Sequence, residues 1–163
     1  GLAAVENIAH APHRVRRLSF GAGDFSLDMN IRWTMQEHEL DYARAKIATA
    51  SRAARLESPL DTVFIHLGVL EGLRFSSERA RNFGFQGKLC IHPEQIEPVN
   101  QVFSPSSEEI EQAQKYVDAF TAAEASGSAS IQVEGYFIDY PIVEKARRTL
   151  DVAKAIEQSR RRV

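Results

Sequence analysis

A chain of 163 residues, 44% hydrophobic and 26% charged, carries enough apolar material for a packed core and has the composition of an ordinary globular protein. Lys and Arg number 20 against 22 Asp and Glu, and a net charge of −2 leaves no electrostatic footprint for nucleic acid or an anionic membrane surface, so neither is expected as a partner. One cysteine, Cys90, excludes an internal disulfide; there is no apolar run of about 18 residues and no signal-like start, so the cytoplasm is the expected location.

In chain order, residues 3–9 (AAVENIA) read as the end of a helix and VRRLSFG (15–21) as a short strand. Leu40, Ala43, Ile47, Ala50 and Ala54 then form a stripe of helical period. Pro59 closes that region, and the β-branched run LDTVFIHL (60–67) reads as a second strand. Residues 71–83 read as a polar-faced helix stopped by Gly84, and GKLCIHP (87–93) as a third strand halted by Pro93. Ser106 followed by Glu109 is a capping-box signature, opening a helix whose inner face is Ile110, Ala113, Val117 and Phe120. A small-residue break, SGSAS (126–130), leads to IQVEGYFID, where Gly135 turns between two extended pieces. Pro141 opens the last helix, with Ile142, Ala146, Leu150 and Ala153 as its face. Strands alternating with helices predict a parallel α/β fold. Three strands cannot close a barrel, so the alternatives are a small open α/β domain or part of a larger one, and a start inside an apparent helix favours the second.

Several motifs could carry chemistry. GAGDFS resembles a dinucleotide fingerprint, but Ser26 stands where the third glycine belongs and SLDMNIRW shows no helix-opening period. A plain turn and a site both remain open on spacing. The site reading rests on glycines that let backbone N–H groups approach a carboxylate, and on Asp24 at a strand end, where it can ligate Mg²⁺. Asp28 reads as a cap or a solvent-facing residue. His10 and His13, with Pro12 between them, read as surface residues rather than a metal pair, and the arginines at 160–162 as a solvated run. His66 reads as a core or lining histidine, and His92 as lining a pocket or bonding a loop. Cys90 has no evident base partner and reads as a packed thiol rather than a nucleophile. Asp139, just ahead of Tyr140 and Pro141, reads alone as a helix cap.

Four segments taken together change that picture: SFGAGDF, DYARAKIATASRAARLESPLDTVF, GFQGKLCIHPEQIEPVNQVFSPSSEEIEQAQ and EGYFIDYPIVEKA. In this order and spacing they resemble the second half of citrate lyase β-subunit-like proteins of the HpcH/HpaI aldolase superfamily, which includes malyl-CoA, citramalyl-CoA and citryl-CoA lyases. The resemblance implies a (β/α)₈ barrel, with residues 1–103 supplying about its sixth to eighth strands and 104–163 a C-terminal lid of helix, hairpin and helix. It also implies a Mg²⁺-dependent lyase that cleaves a 3-hydroxyacyl-CoA into acetyl-CoA and an oxo acid. Asp24 matches the family's metal aspartate, with a glutamate expected upstream as second ligand. The backbone of Ala22, Gly23 and Phe25 matches the oxo-acid cradle, and Leu89, Cys90 and His92 border the acyl-CoA. Asp139 matches a catalytic acid/base on a lid that reaches a neighbouring subunit of a trimer or hexamer. The same scaffold also implies two alternatives, a malate-synthase- or thioesterase-type activity and a non-catalytic CoA- or partner-binding fragment. Two local departures stand out: Gly23 where the family usually has Glu, and IHLGV (65–69), with His66 and Val69 in place of acids, where it often has IDFRD.

Overall fold

The structure, a computed structural model describing residues 1–11 and 14–161, divides into two compact units, Gly1–Phe103 and Ser104–Val163. His13 and Arg162 lie outside the described residues. His10 is exposed, its Nδ1 2.8 Å from the Glu6 carbonyl.

The first unit runs α1 (Val5–Ala9), β1 (Arg17–Ser19), α2 (Ala22–Asp28), α3 (Asp41–Ala53), β2 (Glu57–Asp61), α4 (Leu70–Asn82), β3 (Gly87–Lys88) and α5 (Ile96–Phe103). Its three strands form one parallel sheet in the order β1-β2-β3. The predicted stripe on α3 is the core of this unit: Leu40, Ala43, Ile47 and Ala50 are buried with Leu18 and Phe20 of the first strand region and with Val5 and Ala9 of α1. Gly84, in the left-handed region at φ 90°, follows α4 as expected of a helix stop.

Both later strands are shorter than the sequence suggests. β2 starts three residues early and ends at Asp61, because its neighbours run out: Phe20 N–H donates to Leu60 O, Leu89 N–H to Asp61 O, and β1 and β3 go no further. Pro59 does not precede the strand but lies inside it. The pairing shifts register there, from Arg17↔Glu57 to Ser19↔Leu60, and this irregularity admits a residue with no N–H to donate. β3 is only Gly87–Lys88, so Leu89, Cys90 and His92 belong to the loop beyond it.

α2 is a helix that the sequence conceals. Two turns are too few for a hydrophobic period to register. Phe25 N–H donates to Gly21 O, and Asn30, at φ 52°, ends the helix as Ile31 N–H reaches back to Ser26 O.

A buried charge cluster ties the layers of this unit together. Arg44 on α3 donates from Nε and Nη2 to Asp61 Oδ1 and Oδ2, at 3.0 and 2.9 Å, and from Nη2 to Glu37 Oε2 at 2.6 Å. Lys88 Nζ donates to Asp61 Oδ2 at 2.7 Å, and the Ser76 hydroxyl to Glu37 Oε2 at 2.8 Å. All four charged side chains are essentially inaccessible, and two cations balance two anions. Burial works against the Arg44 charge, yet Asp61 and Glu37 outweigh it and hold the guanidinium above its ordinary pKa. Arg44→Met would leave two buried carboxylates facing one lysine. It is expected to destabilise the protein by about 3–5 kcal/mol, read as a lower denaturant midpoint at unchanged m-value.

The second unit comprises α6 (Ser107–Ala125), β4 (Ser130–Val133), β5 (Tyr136–Asp139) and α7 (Tyr140–Arg160). The capping box is present in both directions: Glu109 N–H donates to Ser106 Oγ, and Ser106 N–H to Glu109 Oε2. β4 and β5 pair antiparallel around Glu134-Gly135, both at positive φ, as a two-residue hairpin turn requires. Phe120, Ile138 and Val143 form the core here. On α7 the inner face is Val143 and Ala146, with Leu150 and Ala153 half-buried; Ile142 is exposed, and Val143 takes its place on that face. Among the described residues no helix is long and apolar enough to cross a membrane.

Candidate active site

In a parallel sheet every strand delivers its C-terminal residues to the same edge, and two hydrogen bonds join those residues here. Ala22 N–H donates to Thr62 Oγ1 (3.0 Å), linking the segments after β1 and β2, and Leu89 N–H donates to Asp61 O, linking those after β2 and β3. The GAGD and KLC segments therefore share one edge of the first unit.

Asp24 lies in the first turn of α2, exposed, with no ion pair or hydrogen bond to its side chain among the described residues. It forms part of the wall of a largely apolar cleft of about 540 Å³, together with Leu2, Val5, Leu18, Phe20 and Phe25. Of the neighbouring N–H groups, Phe25's is used within the helix and Ala22's by Thr62, which leaves Gly23 and Asp24 without intrahelical acceptors. Ala22 is fully buried, so Gly23, Asp24 and Phe25 present the surface of this segment. A hard, unpaired carboxylate of this kind fits magnesium, which binds through one or two protein carboxylates and completes its shell with water and substrate oxygens. No group of three or more metal-ligating side chains occurs among the described residues, so the chain's own donation at this place is Asp24.

Beyond β3, Leu89 and Cys90 are exposed, which corrects the expectation of a packed thiol: with the strand over at Lys88, alternation no longer carries Cys90 inward. Its sulfur rests 3.8 Å from the Lys88 carbonyl, and burial pushes the thiol pKa up against the pull of the Lys88 charge, so it stays protonated near neutrality. His92 is half-buried and caps the turn Pro93–Gln95, its Nδ1 accepting from Glu94 N–H at 3.3 Å. His66 is likewise outside any strand and exposed, edge-on to Phe64. His92 and His66 border a recess of about 10 Å³, room for one water molecule at most.

Asp139 belongs to the second unit. The cap reading holds: Asp139 Oδ1 accepts from Ile142 N–H at 3.4 Å at the start of α7. Its other carboxylate oxygen has no partner among the described residues, and on the hairpin leading to it Tyr136 and Phe137 are strongly exposed.

Sequence reasoning missed Thr62 and the Glu37–Arg44–Asp61–Lys88 cluster. One signal was available: Arg44 lies four residues after Leu40 and three before Ile47, on the apolar stripe itself.

Comparison with known proteins shows the family. The HpcH/HpaI aldolase/citrate lyase family matches residues 1–93. Citrate lyase subunit beta from Leuconostoc mesenteroides subsp. cremoris is 36% identical over 155 residues, which is 95% of this chain and 51% of that protein. A (3S)-malyl-CoA thioesterase from Cereibacter sphaeroides is also 36% identical over 155 residues, 95% of this chain and 53% of its own length. A crystal structure of CitE from Mycobacterium tuberculosis, in complex with magnesium, acetoacetate and coenzyme A, superposes with a TM-score of 0.78 at 26% identity, covering 94% of this chain and 57% of that one. The chain thus spans about half the length of these relatives. It belongs to the HpcH/HpaI aldolase/citrate lyase family.

Proposed function

We propose that the protein is a Mg²⁺-dependent carbon–carbon lyase that cleaves a 3-hydroxyacyl-CoA, of the citramalyl, malyl or citryl type, into acetyl-CoA and an oxo acid. The observation that carries this reading is the unpaired Asp24 carboxylate, held at the strand-end edge of a family whose relative binds magnesium, a keto acid and coenzyme A. In this reading β1–β3 are about the sixth to eighth strands of a (β/α)₈ barrel, whose sites form at the C-terminal strand ends, and a glutamate from an earlier strand completes the protein's share of the metal site. Residues 104–163 are a lid that reaches the active site of a neighbouring subunit in a trimer or hexamer. The exposed Tyr136 and Phe137 are the surface such an exchange would cover. The cytoplasm is the proposed location.

The residues divide the work as follows. Asp24 holds the magnesium ion, which when bound supplies Lewis-acid stabilisation to the hydroxyl oxygen as it becomes a carbonyl. Gly23 and Phe25 flank the oxo-acid carboxylate, Gly23 and Asp24 with N–H groups open to it, while Ala22 braces the turn from behind. Leu89 and Cys90 border the acyl-CoA, with His92 holding their loop in shape. When the bond between the carbinol carbon and the acetyl methylene breaks, its electron pair passes to the acetyl-CoA enolate and the hydroxyl proton passes to solvent, from which Asp139 regains the proton it gives up in each turnover. Asp139 then protonates the enolate carbon, or removes that proton in the condensing direction. Closure of the lid would exclude water from the reacting carbon.

The likeness to a malyl-CoA thioesterase favours a second reading, hydrolysis of the thioester on the same scaffold. Incubating the intact protein with citramalyl-, malyl- and citryl-CoA separates the two. Acetyl-CoA with an oxo acid is the expected product pair. Free hydroxy acid with CoA would replace the lyase by a thioesterase, and no turnover of any ester would leave a non-catalytic CoA- or partner-binding protein.

A further inference from the structure

Helix α2 lacks a cap of its own. Gly21, its N-cap, has no side-chain acceptor, and the first helical N–H instead donates across the sheet edge to Thr62 Oγ1. Ala22 and Thr62 are 0% and 2% exposed, so water cannot stand in for either partner. Thr62 is itself held firmly. It follows Asp61, whose two carboxylate oxygens are bound by Arg44 from α3 and Lys88 from β3, and whose carbonyl accepts from Leu89. Two residues beyond Ala22 stands Asp24.

We propose, on the basis of the lyase reading above, that Thr62 is a positioning residue: its hydroxyl, anchored through Asp61 to Arg44 and Lys88, fixes the first turn of α2 and so the aim of the Asp24 carboxylate at the metal. The hydroxyl is a cap supplied by the segment just after β2. The same anchored residue, Asp61, also holds the start of the KLC loop, so one buried ion cluster sets both the metal-facing and the CoA-facing segments.

Titration of the intact protein with Mn²⁺, followed by electron paramagnetic resonance, tests this without relying on turnover. Thr62→Val keeps the shape and removes the acceptor; Thr62→Ser keeps the acceptor. The valine protein should bind Mn²⁺ about tenfold more weakly or worse, the usual effect of losing a group that orients a ligand, with CoA affinity unchanged and the serine protein close to wild type. A valine protein with a lowered melting temperature but wild-type Mn²⁺ affinity would show a merely structural role and overturn the proposal. Should the valine protein not fold, amide exchange of the wild type decides. Protection of the Ala22 amide at the level of the Phe20 amide in the sheet is expected, and exchange as fast as that of Gly23 overturns the proposal. Wild-type Mn²⁺ binding without turnover of any CoA ester would defeat the lyase reading alone, since the Thr62 comparison is read on metal affinity. No Mn²⁺ binding by the wild type would defeat both.

Discussion

Asp24→Asn is expected to reduce metal-dependent turnover by roughly 10³-fold, because a neutral amide is a poor magnesium ligand and the metal's stabilisation of developing charge is worth several kcal/mol. Mn²⁺ binding should be lost in parallel. Stability should hardly change, since Asp24 is exposed and its side chain has no partner among the described residues. Kinetics across a Mg²⁺ titration, alongside a thermal melt, check both halves of this expectation. A variant that keeps wild-type turnover and metal affinity would remove Asp24 from the site.

Asp139→Asn should fall at a different point. Asparagine caps helices as well as aspartate does, so the bond to the Ile142 N–H and the start of α7 survive. What disappears is the proton. Loss of a general acid costs about 10²–10⁴-fold in kcat, with CoA and metal binding close to wild type. Asp139→Ala removes cap and proton together and should add a stability loss of about 1 kcal/mol. If the asparagine protein turned over normally, Asp139 would be a cap and nothing more.

The parts of this molecule that were legible beforehand are those in which one local rule decides the outcome. Ser106 and Glu109 announce α6 because both halves of a capping box are written within four residues. The α3 stripe announces the core because its period matches one helix face. The GAGDF segment was half legible. Asp24 and the glycines stand out in the sequence, yet α2 does not, since its start is held by a hydroxyl just beyond another strand and its end by Asn30 in the left-handed region. The buried ions were illegible for a related reason. Asp61 and Lys88 sit in strand-like runs where a charge reads as an exception, and only the three-dimensional meeting with Arg44 makes burial tolerable. The same holds for β2. Its apolar run continues to Leu67, but a strand lasts only as long as its neighbours, and these end at Ser19 and Lys88. Asp139 shows the reverse: its cap was visible in sequence, whereas a role in chemistry rests on family resemblance and on the one carboxylate oxygen the cap leaves over.

Acetyl-CoA release from metal-stripped protein bears most directly on the central claim. With the preferred acyl-CoA ester, release should be absent after chelation and return in proportion to added Mg²⁺, with one oxo acid formed for each acetyl-CoA. Equal release with and without the metal, or CoA and hydroxy acid in place of that pair, would contradict it.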